Sequence, residues 1–149
     1  MQLRGWEEKD LPILARIEER CFPCDAWTEE MLSQTLKAPY QWSVLAEEEG
    51  EIYGYACLFS LFETAELLNI AVDTAYRGRG IGEKLLTAVH ERAKAMGAER
   101  ILLEVRVSNA PAIALYEKHG YIKIAVRKNY YGNGEDADIM ERKLLTKAI

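Results

Sequence analysis

Six consecutive residues, Arg77-Gly78-Arg79-Gly80-Ile81-Gly82, carry the clearest chemistry in this chain. Glycines on alternate positions let a turn of backbone approach a ligand closely, and the arginines add charge that does not titrate away. Before them, Leu67 to Val72 is an apolar run broken only by Asn69, with the length and β-branching of a buried strand. After them, Ile81, Leu85, Leu86, Val89, Ala93 and Met96 recur at helical spacing, and Gly97 sits where a helix stops. A strand therefore feeds a turn over Asp73 to Tyr76, then the glycines, then a helix N-terminus. The first N–H groups of a helix lack partners and lie at the positive end of its dipole, so the arrangement suits a pyrophosphate. A dinucleotide site also sets glycines between strand and helix. Here the spacing is Gly-x-Gly-x-Gly, and Asp73 to Arg77 separate the strand from the first glycine. A plain structural turn is the third reading.

A second chemical candidate is Glu104, in Ile101-Leu102-Leu103-Glu104-Val105-Arg106-Val107. Alternation puts Leu102, Glu104 and Arg106 on one face of that strand and the apolar residues on the other. A carboxylate there is functional, is half-exposed beside Arg106, or forms a structural ion pair. Cys21-Phe22-Pro23-Cys24 spells C-x-x-C, but it follows a predicted helix rather than preceding one. One such pair is also too few ligands for structural zinc. No metal is expected.

The elements that must position these residues are legible in order. Residues 2 to 6 read as a strand, and Asp10 caps a helix reaching about Cys21. Phe22 to Trp27 is a loop, and Thr28 caps a second helix that ends before Pro39. Strands Trp42 to Glu47 and Ile52 to Leu61 form a hairpin through Glu49-Gly50, and Phe62 to Thr64 turns into the strand ending at Val72. After Gly97 come strand Ile101 to Val107, a helix from about Ala110 to His119, strand Tyr121 to Val126, a polar loop, and strand Asp138 to Leu145. The order β-α-α-β-β-β-α-β-α-β-β implies an α/β protein with a mixed sheet and helices on both faces. His90 and His119, on predicted helices, read as surface residues.

With 149 residues and no repeat or linker, residues 1–149 read as one domain. No apolar run approaches the ~20 residues needed to span a bilayer, and the first ten residues lack a signal-peptide core. A cytoplasmic protein, taken as a monomer, is expected. The net charge of −5 argues against a general nucleic-acid binder and would favour a basic peptide partner. Three cysteines, an odd count, fit reduced thiols.

Arg77-Gly78-Arg79-Gly80-Ile81-Gly82 resembles the Arg/Gln-x-x-Gly-x-Gly/Ala acyl-CoA loop of the GCN5-related N-acetyltransferases (GNAT). Ser108 to Tyr121, SNAPAIALYEKHGY, resembles that family's Asn-x-x-Ala-x-x-Leu-Tyr-x-x-x-Gly-Phe/Tyr signature. Leu67 to Asp73, Leu103 to Asn109, Ala112 to Glu117, Arg127 to Tyr131 and Glu135 to Ala137 are similar to its bacterial RimI type, which acetylates the N-terminal alanine of a small-subunit ribosomal protein. The resemblance covers nearly the whole chain. It implies the GNAT fold, a mostly antiparallel mixed sheet, and acetyl-CoA as the acyl donor. It sets the pyrophosphate on the backbone of Arg77, Gly78, Arg79, Gly80, Ile81, Gly82 and Glu83. Ile70, Ala71 and Val72 would hold the acetyl carbonyl and pantetheine, with Asn109 on the pantetheine arm and Tyr116 near the sulfur. Glu104 becomes the base and Tyr116 the acid; Trp27, Asn69, Tyr130, Tyr131 and Glu135 become acceptor residues. The family's Pro-Trp-Ser/Thr reads Ala26-Trp27-Thr28 here, a departure in the acceptor loop.

These roles imply a direct transfer without a covalent acyl-enzyme. A free α-amine with pKa near ~8 is about a tenth neutral at pH 7, and lysine at ~10.4 far less, so a protein N-terminus is the easier nucleophile. The loop Asn129 to Asp136 would close over the acceptor, its glycines allowing movement and its carboxylates suiting a basic peptide. The alternatives are an acetyltransferase for other N-termini, lysines or small amines such as polyamines, and a non-catalytic acyl-CoA-binding module.

Overall fold

The computed structural model describes residues 1 to 144. Strands β1 (Gln2–Arg4), β2 (Gln41–Glu48), β3 (Glu51–Leu61), β4 (Thr64–Val72), β5 (Arg100–Arg106), β6 (Ile122–Arg127) and β7 (Ala137–Lys143) form one sheet in the order β1-β2-β3-β4-β5-β7-β6. Helices α1 (Leu11–Cys21) and α2 (Glu29–Lys37) follow β1, α3 (Ile81–Ala95) joins β4 to β5, and α4 (Ala110–Lys118) follows β5. The element order is the one read from the sequence. The β4–β5 pairing, joined through the single crossover helix α3, is parallel, and the other neighbours are antiparallel.

Alternation along the strands builds a core on each face. Ala56, Leu58, Leu67, Ile101, Leu103 and Val105 pack against Ile81, Leu85, Leu86 and Val89 of α3. Tyr55, Cys57 and Ala71 pack on the opposite face against Leu14 and Ile17 of α1 and Leu32 of α2. Gly97 and Gly120, at φ of 92° and 90°, end α3 and α4 in the left-handed region glycine tolerates. Among the described residues no helix is long and apolar enough to cross a membrane.

Several local expectations change. The first strand stops at Arg4, because Trp6 turns inward and donates its indole N–H to the Val44 carbonyl at 2.9 Å. Asp10 does not cap α1; it accepts from the Glu7 backbone N–H at 2.7 Å and from Arg4 at 2.9 Å. His90 is buried rather than on the surface, and its ring nitrogens meet the Tyr121 hydroxyl (2.7 Å) and the Arg142 guanidinium. Desolvation first, then the Arg142 charge, drives its pKa down to about 3. The last strand ends at Lys143, and Leu145 lies outside the described residues.

Candidate active site

The sheet opens at its centre. β4 and β5 pair only from Thr64 to Glu66 against Arg100 to Leu102. Beyond that point β4 continues along β3 to Val72 and β5 continues along β7 to Arg106, so the edges they would share face a gap. A gap between parallel strands leaves backbone N–H and C=O groups without ladder partners, available to an extended ligand. Ile70, Ala71 and Val72 lie along it.

The glycine turn stands at the wide end of this gap. Gly78 and Gly80 adopt φ of 82° and 75°, and Gly80 is the N-cap of α3. Among the described residues no side chain caps α3, whereas Thr28 and Asn109 cap α2 and α4 by accepting from Met31 N and Ala112 N. The first amides of α3, at Ile81, Gly82 and Glu83, therefore keep their donors. A Cβ at Gly78 or Gly80 would meet no atom within 4 Å, so these glycines answer to backbone conformation rather than to crowding. A Cβ at Gly82 would make ordinary van der Waals contact, 3.5 Å from a Leu115 methyl of α4 and 3.8 Å from one of Val72. The Glu83 carboxylate is neutralised by Lys118 at 2.8 Å and stays below the usual carboxylate range.

The two arginine side chains of the turn contact other parts of the protein. Arg77 donates back to the Val72 carbonyl at 3.2 Å and to the Cys21 thiol at 3.5 Å. Arg79 lies over the stacked rings of Tyr53 and Tyr76, 5.4 Å from the Tyr76 centroid. Their charge flanks the turn, with Arg77 donating to protein groups and Arg79 packed on aromatic rings. Asn109 likewise uses its Oδ1 as the α4 cap, which leaves its amide for other partners.

On the α1/α2 face, a bulge decides what points into the gap. Cys57 pairs with Asn69 and Leu58 with Leu67, so Leu68 is the extra residue. Leu67 and Ile70 pack in the α3 core and Leu68 and Ala71 in the α1/α2 core. The bulge thus breaks the alternation and turns Asn69 toward α1, where its Nδ2 meets Glu18 at 2.6 Å. Glu104 projects to this same face from β5, opposite Ile101, Leu103 and Val105. It is not paired with Arg106. Arg127 lies 3.8 Å from its Oε1, and its Oε2 is buried without a hydrogen-bond partner among the described residues.

Arg106 instead fastens two loops together. It donates to Asp25 in the loop after α1, and to Asn133 (3.0 Å) and Glu135 (2.7 Å) in the β6–β7 loop. Its guanidinium also lies 4.1 Å from the Tyr131 ring centroid. The Glu135 carboxylate additionally accepts from Ser108 N at 2.9 Å, so the group expected to meet a basic acceptor is engaged within the protein. The loop itself is closed by bonds from Tyr131 N to Glu135 O and from Gly134 N to Tyr131 O. Its glycines thus serve a bonded turn as well as any movement.

Two phenols, Tyr130 and Tyr131, lie near Glu104, and a third, Tyr116, is buried beyond Tyr131. The nearby carboxylate, with burial second, holds the Tyr130 phenol above its ordinary range. Burial, then the Glu104 charge, pushes the Tyr131 phenol up to about 12. Tyr116 is buried in α4 beside Tyr121, and desolvation with Tyr131 as neighbour raises its phenol further. Each keeps its proton at neutral pH, the state a proton donor needs.

One residue of this site lies outside the sequence reading. Glu18 in α1 is fully buried and accepts from the Tyr55 hydroxyl, Asn69 Nδ2 and the Trp27 backbone N–H (2.8 Å). Its sequence signal was a charged residue on the apolar side of a helix, between Ile17 and the next turn. Trp27 is half-buried against the α1/α2 core, so its loop is held by packing as well as by Glu18.

Comparison with known proteins gives a consistent result. Residues 11–121 match the model of the acetyltransferase (GNAT) family. Over 140 residues the chain is 38% identical to a Bacillus subtilis (strain 168) protein provisionally named a ribosomal protein bS18-alanine N-acetyltransferase, covering 93% of this chain and 92% of the relative. It is 37% identical to the Escherichia coli (strain K12) ribosomal protein bS18-alanine N-acetyltransferase, covering 90% and 91%. A crystal structure of the Escherichia coli ribosomal-protein-S18-alanine N-acetyltransferase superposes with a TM-score of 0.88 at 32% identity, covering 99% of this chain and 96% of that one.

Proposed function

The chain belongs to the acetyltransferase (GNAT) family and is an acetyl-CoA-dependent N-acetyltransferase; from that premise we propose that it acetylates the N-terminal alanine of ribosomal protein bS18. Relatives of about the same length named for that activity support the substrate. The single observation that carries the chemistry is Glu104, an interior-strand carboxylate at the gap between β4 and β5 with one buried oxygen lacking a partner among the described residues.

The uncapped amides of α3 and the left-handed glycines fit a diphosphate, and the unpaired edge of β4 fits a pantetheine arm. The acyl thioester then lies in the gap, with the acceptor approaching from the α1/α2 face. Glu104, directly or through a water, takes a proton from the α-amine as its nitrogen bonds to the acetyl carbon. Backbone N–H groups near Ile70 to Val72 hold the carbonyl oxygen as charge develops there. Tyr116 gives its proton to the departing CoA sulfur as the carbon–sulfur bond breaks. The products are the acetylated N-terminus and CoA, with no covalent enzyme intermediate.

Incubation with acetyl-CoA and a peptide carrying the bS18 N-terminus, read by mass spectrometry, tests this assignment. Acetylation at the α-amine is expected, with far slower reaction on lysine peptides and polyamines. Preferential turnover of either of those amines would reassign the substrate, and binding of acetyl-CoA without any turnover would reassign the chain as a binding module.

A further inference from the structure

We infer that Glu18 is a positioning residue of the acceptor site, fixing the Asn69 carboxamide so that its Oδ1 faces the incoming amine. This rests on the reading above that an amine acceptor approaches from the α1/α2 face. Glu18 touches no reacting atom; it acts through Asn69 and the Trp27 loop.

The chemistry of the cluster leaves little choice of orientation. Three donors converge on one side chain: the Tyr55 hydroxyl, Asn69 Nδ2 at 2.6 Å and Trp27 N at 2.8 Å. An ionised carboxylate is acceptor-only on both oxygens, which is what such a set requires. Asn69 must therefore present its NH2 to Glu18 and turn its Oδ1 the other way. Asn69 is half-buried on the Glu104 face because of the bulge at Leu68, so that oxygen points from the wall the acceptor passes. An amide oxygen there can accept an N–H from the acceptor and leave the nitrogen lone pair toward the thioester. The fully buried carboxylate is itself costly without such partners. Its bonds join α1, β3, β4 and the loop before α2, the elements that frame this side of the gap.

The isosteric variant Glu18→Gln separates positioning from packing. A glutamine cannot accept from all three donors. With its oxygen on Trp27 N, its NH2 meets Asn69 and forces the carboxamide to flip, which presents Nδ2 to the acceptor. Rates are measured against the best amine of a panel of the bS18 peptide, a lysine peptide and a polyamine, and acetyl-CoA affinity is measured by calorimetry. Glu18→Gln and Asn69→Ala are each expected to raise the acceptor KM about tenfold while leaving acetyl-CoA affinity unchanged. Adding Asn69→Asp to Glu18→Gln restores an oxygen at both ends and should recover most of the loss, whereas Asn69→Asp alone should not improve on wild type. An unchanged acceptor KM in Glu18→Gln, or no recovery in the double variant, overturns the inference. Should Glu18→Gln not fold, Asn69→Ala decides: an unchanged acceptor KM sinks the proposal. If the wild type acetylates no amine of the panel, the functional reading falls with it; if the wild type is active and the variants match it, only this inference falls.

Discussion

The glycine turn proposed to hold phosphate and the groove proposed to hold the acceptor draw their parts from very different distances along the chain. Arg77 to Glu83 are consecutive, and what they offer is backbone: amides at an uncapped helix start and two glycines at positive φ. The acceptor groove is made of side chains brought together from far apart. Asn69 meets Glu18 across 51 positions, and Arg106 meets Asp25 across 81. A backbone cradle is indifferent to most substitutions except at its glycines, so it suits a donor that all such enzymes share. A groove of fastened side chains can be retuned one contact at a time, which suits an acceptor that varies.

That contrast can be broken by experiments that ask each region to affect only its own ligand. The largest effect is expected at the junction: Glu104→Gln should lower kcat by roughly 10²–10⁴-fold while acetyl-CoA still binds. Normal turnover in that variant would remove the base assignment. Tyr116→Phe should slow turnover by at least about tenfold, with acceptor binding preserved; equal losses in acceptor affinity would make Tyr116 a packing residue. Gly80→Ala forces a Cβ into the left-handed region, at about 1–2 kcal/mol, and should weaken acetyl-CoA about tenfold. The acceptor KM should not move, and if it does the two regions are coupled through α3.

Arg106→Ala tests the other side. It frees Asp25, Asn133 and Glu135 and should raise the acceptor KM about fivefold, with acetyl-CoA affinity intact. A tighter acceptor instead would mean that the released carboxylates serve a basic peptide better than the clasp does. The smallest effect on turnover is expected at His90, which belongs to neither region. It binds a proton less readily folded than unfolded, so the fold loses stability as pH falls from about 6.5 toward its folded pKa of about 3. His90→Gln should flatten that acid limb of the melting curve without changing the kinetics.

The strand, turn and helix around the glycines were readable from the sequence. The alternate glycines, the apolar run Leu67 to Val72 and the helical spacing after Ile81 are local patterns, and local sterics enforce them. The placement of Glu104 on a mixed strand, and of Tyr116 within a capped helix, followed from periods of two and 3.6. The ionic roles did not follow. Glu104 and Arg106 share a face two residues apart, yet Arg106 reaches Asp25 and Glu135 instead, because neighbouring loops supply closer carboxylates. His90 read as a surface residue because helical spacing alone does not say how wide the buried stripe is.

The amino-acid order by itself thus determined the elements, their sequence along the chain and the glycine turn before α3, since each depends on residues within a few positions of one another. Tertiary structure alone decided where β4 leaves β5, which way Asn69 points and that Glu18 is buried. A bulge exists only relative to the strand it pairs with, and a carboxylate becomes an acceptor hub only when distant donors are folded onto it.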